Sequence, residues 1–289
     1  MKYRSNSVLV LVPQNHYGEY MLKQATFLKG ALGMRIFLIN ILQSASYFIN
    51  RLSITRNKKR HQKKLDSFVS FAQTVLEKDL PRNTIPLIRY GPLIKTLIKE
   101  SKLGGYEFVM LDKNTPNNAA GLSRTDIDRY VSKSFCPVML TDHEKPVEKI
   151  SKILVPIDIS QRTTKRLYWA TFFAKKFQAT VKIVSALNID IKENKSLAFK
   201  NAQKLKQMLE SRGVHCEVEI LKRANKELHT AILDFIEKDK PQLVIIRTHQ
   251  EIRFSGRRIG KFVSGIIHGC SVPVFTVGGV TKDRDVNAI

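Results

Sequence analysis

The sequence predicts an α/β protein: two tandem doubly wound domains, each a five-stranded parallel sheet with helices on both faces. Three observations predict it. Short apolar runs alternate with segments of helical period along the chain. The order β-α-β-α-β-α-β-α-β runs once and then starts again. Matching stretches tie the two copies together. Val10-Leu11-Val12-Pro13 lies against Ile153-Leu154-Val155-Pro156, 143 residues on (153 − 10), and Cys136-Pro137-Val138 lies against Val272-Pro273-Val274, 136 on (273 − 137). Strand–helix alternation with apolar strands implies parallel sheets covered on both faces, and right-handed crossovers favour double winding. Ligands on such sheets sit at the carboxyl ends of strands, where strand order reverses.

In the first half, residues 8–12 read as a strand ended by Pro13. Residues 17–32 read as a helix, because Tyr20, Met21, Ala25, Leu28, Ala31 and Leu32 recur at helical spacing, and Gly33 suits its C-cap. A strand over 35–42 is rich in Ile, Leu and Phe. A polar segment follows with seven cations (Arg51, Arg56, Lys58, Lys59, Arg60, Lys63, Lys64), read as a solvated loop running into a helix. The apolar face of that helix is Leu65, Phe68, Val69, Ala72, Val75 and Leu76, and Pro81 closes it. Then come a strand at 84–88, a helix at 93–101 opened by Gly91-Pro92, and a strand at 106–111. A loop at 112–121 leads to a helix at 123–135 with Ser123 as N-cap, and to a strand at 137–140.

The second half reads strand 153–157, helix 163–177, strand 180–187, helix 195–212 ended by Gly213, alternating strand 214–221, helix 225–238, strand 242–246, helix 257–269 and strand 272–277. Trp169 falls among the inward positions of its first helix and reads as core. The expected organisation is a first domain over 1–142, a linker over 143–151, a second domain over 152–280 and a tail over 281–289.

Composition bounds the function. A chain of 289 residues with 43% hydrophobic and 26% charged content has the balance of a globular protein of two ordinary domains. The most apolar stretch, 36–49, is broken by Asn40, Gln43 and Ser44 and is too short to span a bilayer. The N-terminus lacks the pattern of a signal peptide, so the expected location is cytoplasmic. Three scattered cysteines (Cys136, Cys216, Cys270) give no zinc spacing and read as buried small hydrophobes. The balance of 49 Lys and Arg against 25 Asp and Glu, a formal charge of +24, favours anionic partners: nucleotides, nucleic acid or a membrane surface. It does not choose among them.

The stretch from Arg247 to Val277 carries most of the functional information. A basic, glycine-containing loop links an apolar strand to a helix, and a helix N-terminus offers unpaired N–H groups and a favourable dipole to an anion. The sequence Ile153-Leu154-Val155-Pro156-Ile157-Asp158 resembles the opening strand of the universal stress protein (UspA-like) family, with its terminal aspartate. Gln242 to His249 is similar to that family's fourth strand and Thr-His turn, and Ser271-Val272-Pro273-Val274-Phe275 to its closing strand. The likeness covers the second half end to end and the first half by order of elements, in a tandem two-domain form. It implies an adenine nucleotide alpha hydrolase-like (UspA-like) fold. It further implies pairing through fifth strands, made internally as a pseudo-dimer between 137–140 and 272–277, with a homodimer of chains as a further option.

ATP-binding members of the family carry G-x2-G-x9-G-[S/T] after the fourth strand. The matching positions here are Arg247, Gln250, Gly260 and Lys261, so one of four is kept. In the first half Asp112 and Thr115 replace the first two glycines, Arg124-Thr125 stands near the end, and Asn15 stands where the opening aspartate would be. ATP in the family's usual pose is therefore not expected. The candidate anion site comprises Asp158, Arg247, Thr248, Gly260, Lys261, Arg257 and Arg258; Arg253 lies in the same loop, and arginines suit bidentate phosphate contacts. A loop that has lost its site and keeps only a solvated charged face is the competing reading.

The sequence shows no Gly-x-Ser-x-Gly elbow, no Walker A loop and no paired catalytic carboxylates; His249 could serve as a general acid or base, but the resemblance carries a Thr-His turn without implying catalysis. The leading expectation is a non-enzymatic cytosolic stress protein that binds a small anion or a protein partner. One alternative is a nucleotide-binding sensor using the second domain, with Asp158 and strand 181–184 on the base and ribose side. Another is a basic protein binding nucleic acid or a membrane surface; the 51–64 cluster has none of the aromatics that stack single-stranded bases.

Overall fold

The computed structural model describes residues 6–43, 54–114, 122–144, 147–157, 164–187, 196–222, 226–248 and 259–278. Contacts divide the chain into two compact units, 1–138 and 139–289. The first half contains β1 (Ser7–Leu11), α1 (His16–Leu32), β2 (Arg35–Leu42), α2 (Ile54–Leu76), β3 (Thr84–Tyr90), α3 (Leu93–Gly104), β4 (Phe108–Asp112), α4 (Arg124–Lys133) and β5 (Val138–Thr141), the division falling inside β5. The second contains β6 (Lys152–Pro156), α5 (Thr164–Phe177), β7 (Thr180–Leu187), α6 (Leu197–Glu210), β8 (Cys216–Lys222), α7 (Leu228–Asp239), β9 (Leu243–Arg247), α8 (Lys261–Gly269) and β10 (Val274–Val277).

In the first half the strands run in the order β3-β2-β1-β4-β5, and in the second β8-β7-β6-β9-β10. Strand β1 lies parallel to β2 and β4, and β6 parallel to β7 and β9. Each half is thus a doubly wound parallel sheet of the predicted class, and order reverses beside β1 and beside β6. The central strands are apolar on both faces because helices cover both: Val8, Leu9 and Val10 are fully buried, as are Ile153, Leu154 and Val155.

The two halves repeat bond for bond. Val12 N–H donates to Ile39 O at 2.9 Å, and Ile157 N–H donates to Val184 O at 2.8 Å, 145 residues on at both ends (157 − 12, 184 − 39). This corrects the match made on prolines, which gave 143. Pro156 is the last residue of β6, whereas Pro13 lies two residues past β1. The ladder therefore puts Pro13 opposite position 158 (13 + 145), and Asn15 does not replace the opening aspartate. Asn15 instead caps α1, its Oδ1 accepting from Gly18 N–H at 3.2 Å. Gly18 is required there, because a Cβ on it would stand 1.7 Å from the Pro13 carbonyl oxygen.

Most helix signals hold. Gly33 adopts the left-handed C-cap of α1 at φ 68°, and Ser123 closes a capping box with Asp126 on α4. Trp169 is core, 8% exposed and packed on Phe173 and Phe275 at centroid distances of 5.6 and 4.9 Å. Two boundaries differ from expectation. The basic segment, expected as a solvated loop and helix start, is already helical from residue 54, since α2 begins at Ile54. Lys, Arg and Gln are good helix formers, and the buried Phe68 and Ala72 anchor the helix one turn later. Helix α8 begins at Lys261, not at 257; Ile259 and Gly260 are non-helical, and 257–258 lie outside the described residues.

Candidate functional site

Strand order in the second unit reverses beside β6, so the carboxyl end of β6 and β9 is the edge at which doubly wound sheets take ligands. Of the residues expected there, Asp158, Arg257 and Arg258 lie outside the described residues, as do Gln250, Arg253 and His249. Arg247, Thr248, Gly260 and Lys261 are described. Arg247 is the last residue of β9 and half-buried. Thr248 follows it, 2% exposed, its N–H donating to Val277 O at 3.0 Å. This bond extends the β9–β10 ladder by one step. A backbone N–H held that way is not available to a phosphate.

Gly260 is the N-cap of α8, at φ −74° and ψ 165°, without a side-chain hydrogen bond to the helix start. That conformation is open to any residue, so the fold does not demand glycine there. A missing Cβ matters at this position for close approach to the helix end.

Lys261 opens α8, placing a cation at the positive end of the helix dipole. Its compensation comes from α7. Lys261 Nζ donates to Glu227 Oε1 at 2.5 Å, and Glu227 is the N-cap residue of α7. The other carboxylate oxygen, Oε2, stands 3.3 Å from His229 Nδ1. Close helix packing brings these residues together. Gly265 of α8 faces His229, where a Cβ would come within 2.5 Å of the ring, and Gly269 faces Leu233, within 2.6 Å of Cδ1. The i, i+4 glycines of one helix thus receive the i, i+4 side chains of the other.

Arg166 was missed in the sequence reading. It lies in the first turn of α5, 1% exposed, and its Nη1 donates to Pro156 O at 2.6 Å. A guanidinium is thereby fixed at the carboxyl end of β6. The available signal was the Lys165-Arg166 pair at a helix start that lacks any acidic residue, an unfavourable place for cations on a surface helix.

In the first unit, Asp112 closes β4 and is 6% exposed, with Oδ1 accepting from Asn114 N–H at 3.4 Å. The 135-residue offset of β4 and β9 (244 − 109, from Val109 and Val244 donating to Pro137 O and Pro273 O) pairs Asp112 with Arg247. At equivalent sheet positions the halves carry opposite charges.

The family model described as "Universal stress protein family" matches residues 149–278. Among solved structures, a universal stress protein from Archaeoglobus fulgidus DSM 4304 is similar at a TM-score of 0.68 and 16% identity, covering 98% of this chain and 99% of that one. A functionally unknown protein from Pseudomonas aeruginosa PAO1 is similar at 0.60 and 17% identity, covering 95% and 93%. At such identities the likeness is one of fold, and it extends over both halves. A search of curated proteins gave no match.

Proposed function

We propose that this chain, which belongs to the universal stress protein family through residues 149–278, is a non-catalytic binding protein that takes a small anion or a protein partner and not ATP in the family's usual pose. The observation that carries the reading is the Lys261–Glu227 pair at the start of α8. A phosphate seat needs free backbone N–H groups, room for close approach and an uncommitted cation. Here the cation at the helix start is engaged by a carboxylate. The Thr248 N–H belongs to the sheet, and Arg247 puts a side chain where the family's ATP-binding members carry glycine. The sequence brings no nucleophile and base into a recognisable arrangement, which supports binding without turnover.

Calorimetry on the full chain with ATP, AMP, cyclic AMP and inorganic phosphate tests it. The expected result is no ATP binding at millimolar affinity or better. Tight ATP binding that Lys261→Ala removes would overturn it.

One observation favours a second reading, a nucleotide sensor. The buried Arg166 guanidinium places a fixed positive charge beside the end of β6, next to the chain leading to Asp158. In that case Arg166→Met abolishes nucleotide binding while Lys261→Ala leaves it in place.

A further inference from the structure

The strongest unassigned feature is the solvent face of α2 in the first unit. Lys58, Lys59, Arg60, Lys63 and Lys64 are all exposed on one continuous helix, where the sequence suggested a loop giving way to a helix start. Lys59, Arg60, Lys63 and Lys64 stand at i, i+1, i+4 and i+5, which is one helical stripe. The opposite face holds Phe68 and Ala72, at most 1% exposed, and keeps the helix on its own sheet. Asp66, the nearest acid in sequence, accepts from Gln62 at 2.7 Å. Among the described residues none of the five cations is ion-paired. Some cations elsewhere are matched locally, as in Arg89 with Glu100, Lys152 and Lys182 with Asp239, and Lys226 with Asp234. Lys59, Arg60, Lys63 and Lys64, four positive charges on one face of a helix, raise the local potential and offer a row of donors to a polyanion.

We propose that the exposed face of α2 binds the phosphate backbone of a nucleic-acid duplex, independently of base sequence. A membrane surface fits less well, because an interfacial helix must bury an apolar face in lipid and that of α2 is already buried in the protein. A single strand fits less well, because the stripe contains no Phe, Tyr or Trp on which bases could stack. Successive i, i+4 cations are about 6 Å apart along the helix axis, so the row is dense enough to meet neighbouring phosphates of a duplex. Contacts of this kind fix position without reading bases, so affinity follows salt.

Fluorescence anisotropy with a labelled duplex of arbitrary sequence, in rising salt, tests the proposal on the full chain. Three proteins are compared: the parent, a variant with Lys59, Arg60, Lys63 and Lys64 each changed to Gln, and a control with the exposed Lys175, Lys176, Lys200 and Lys204 each changed to Gln. The two variants lose the same charge. The expected result is duplex binding by the parent and control, and at least a tenfold loss with the α2 variant. The slope of log affinity against log salt becomes shallower by about 3–4, the value for four lost phosphate contacts on B-DNA. Equal losses in both variants would reduce the effect to net charge and overturn the assignment. So would absence of duplex binding by the parent at low salt, or binding only to phosphatidylserine vesicles. Circular dichroism of both variants confirms that the exposed substitutions leave the fold intact.

Discussion

Lys261 Nζ and Glu227 Oε1 stand 2.5 Å apart, joining the first residue of α8 to the N-cap residue of α7. Among the described residues, the pair holds the one cation at the helix start against a carboxylate of the same unit. Glu227→Gln releases it. The expected outcome is a several-fold gain in affinity for inorganic phosphate, read by calorimetry and lost again in the double variant with Lys261→Ala. Both side chains are more than half exposed, so the change in stability stays below about 1 kcal/mol.

Gly18 meets the carbonyl of Pro13 so closely that Gly18→Ala forces α1 off the end of β1. Backbone atoms cannot swing aside as a side chain does. A loss of about 1–3 kcal/mol is expected, the range of overpacked sites, read as a lowered melting temperature by circular dichroism. Gly30→Ala, in the same helix with open space around it, serves as a control and leaves the melting temperature unchanged or raised.

The ion-pair group at the base of the second sheet sets a pH window. Burial raises the Asp239 carboxyl, but the hydrogen bond from Lys182 and the Lys152 ammonium paired with it at 3.2 Å outweigh that and hold the group below its ordinary 3.8. Its contribution is present above about pH 4 and lost as pH falls through the folded value. Burial lowers Lys182, and the carboxylates of Asp239 and Glu217 outweigh it, raising the group above 10.5. That contribution is complete below pH 10.5 and lost as pH rises through the folded value. Denaturation across pH is therefore expected to show a plateau between these limits. Asp239→Asn should lower it by about 2 kcal/mol, the scale of hydrogen bonds to charged groups, and flatten its acid edge.

Cys136, Cys216 and Cys270 are 7%, 1% and 3% exposed. Burial pushes the thiols of Cys136 and Cys216 up to about 12, so almost no thiolate forms at neutral pH. Thiol titration at pH 8 is expected to find these two cysteines unreactive in the folded protein and all three reactive in denaturant.

Trp169 packs between Phe173 and Phe275, tying α5 to the last strand of its unit. Trp169→Ala leaves a large void, and a loss of about 3–5 kcal/mol is expected from denaturant unfolding.

The sequence by itself determined the class of fold and the order of elements. Apolar runs such as Val8 to Val10 and Leu243 to Ile246 leave few alternatives to buried parallel strands, and local signals placed the caps at Gly33 and Ser123. These depend on neighbours within a few residues, which a sequence displays directly. Tertiary structure decided the rest. The 145-residue register moved Asn15 from a ligand position to a helix cap, because hydrogen-bonded ladders and not shared prolines define equivalence. Glu227 reaches Lys261 from 34 residues away only because glycines at 265 and 269 let two helices close together. Arg166 reads as a surface cation until α5 folds it against Pro156. The cations of α2 form one stripe only because Phe68 and Ala72 hold the helix on the sheet and turn that face outward. Helix and strand period are local and legible, whereas charge pairing and the direction a face points depend on which elements pack, and those contacts form between residues far apart in the chain.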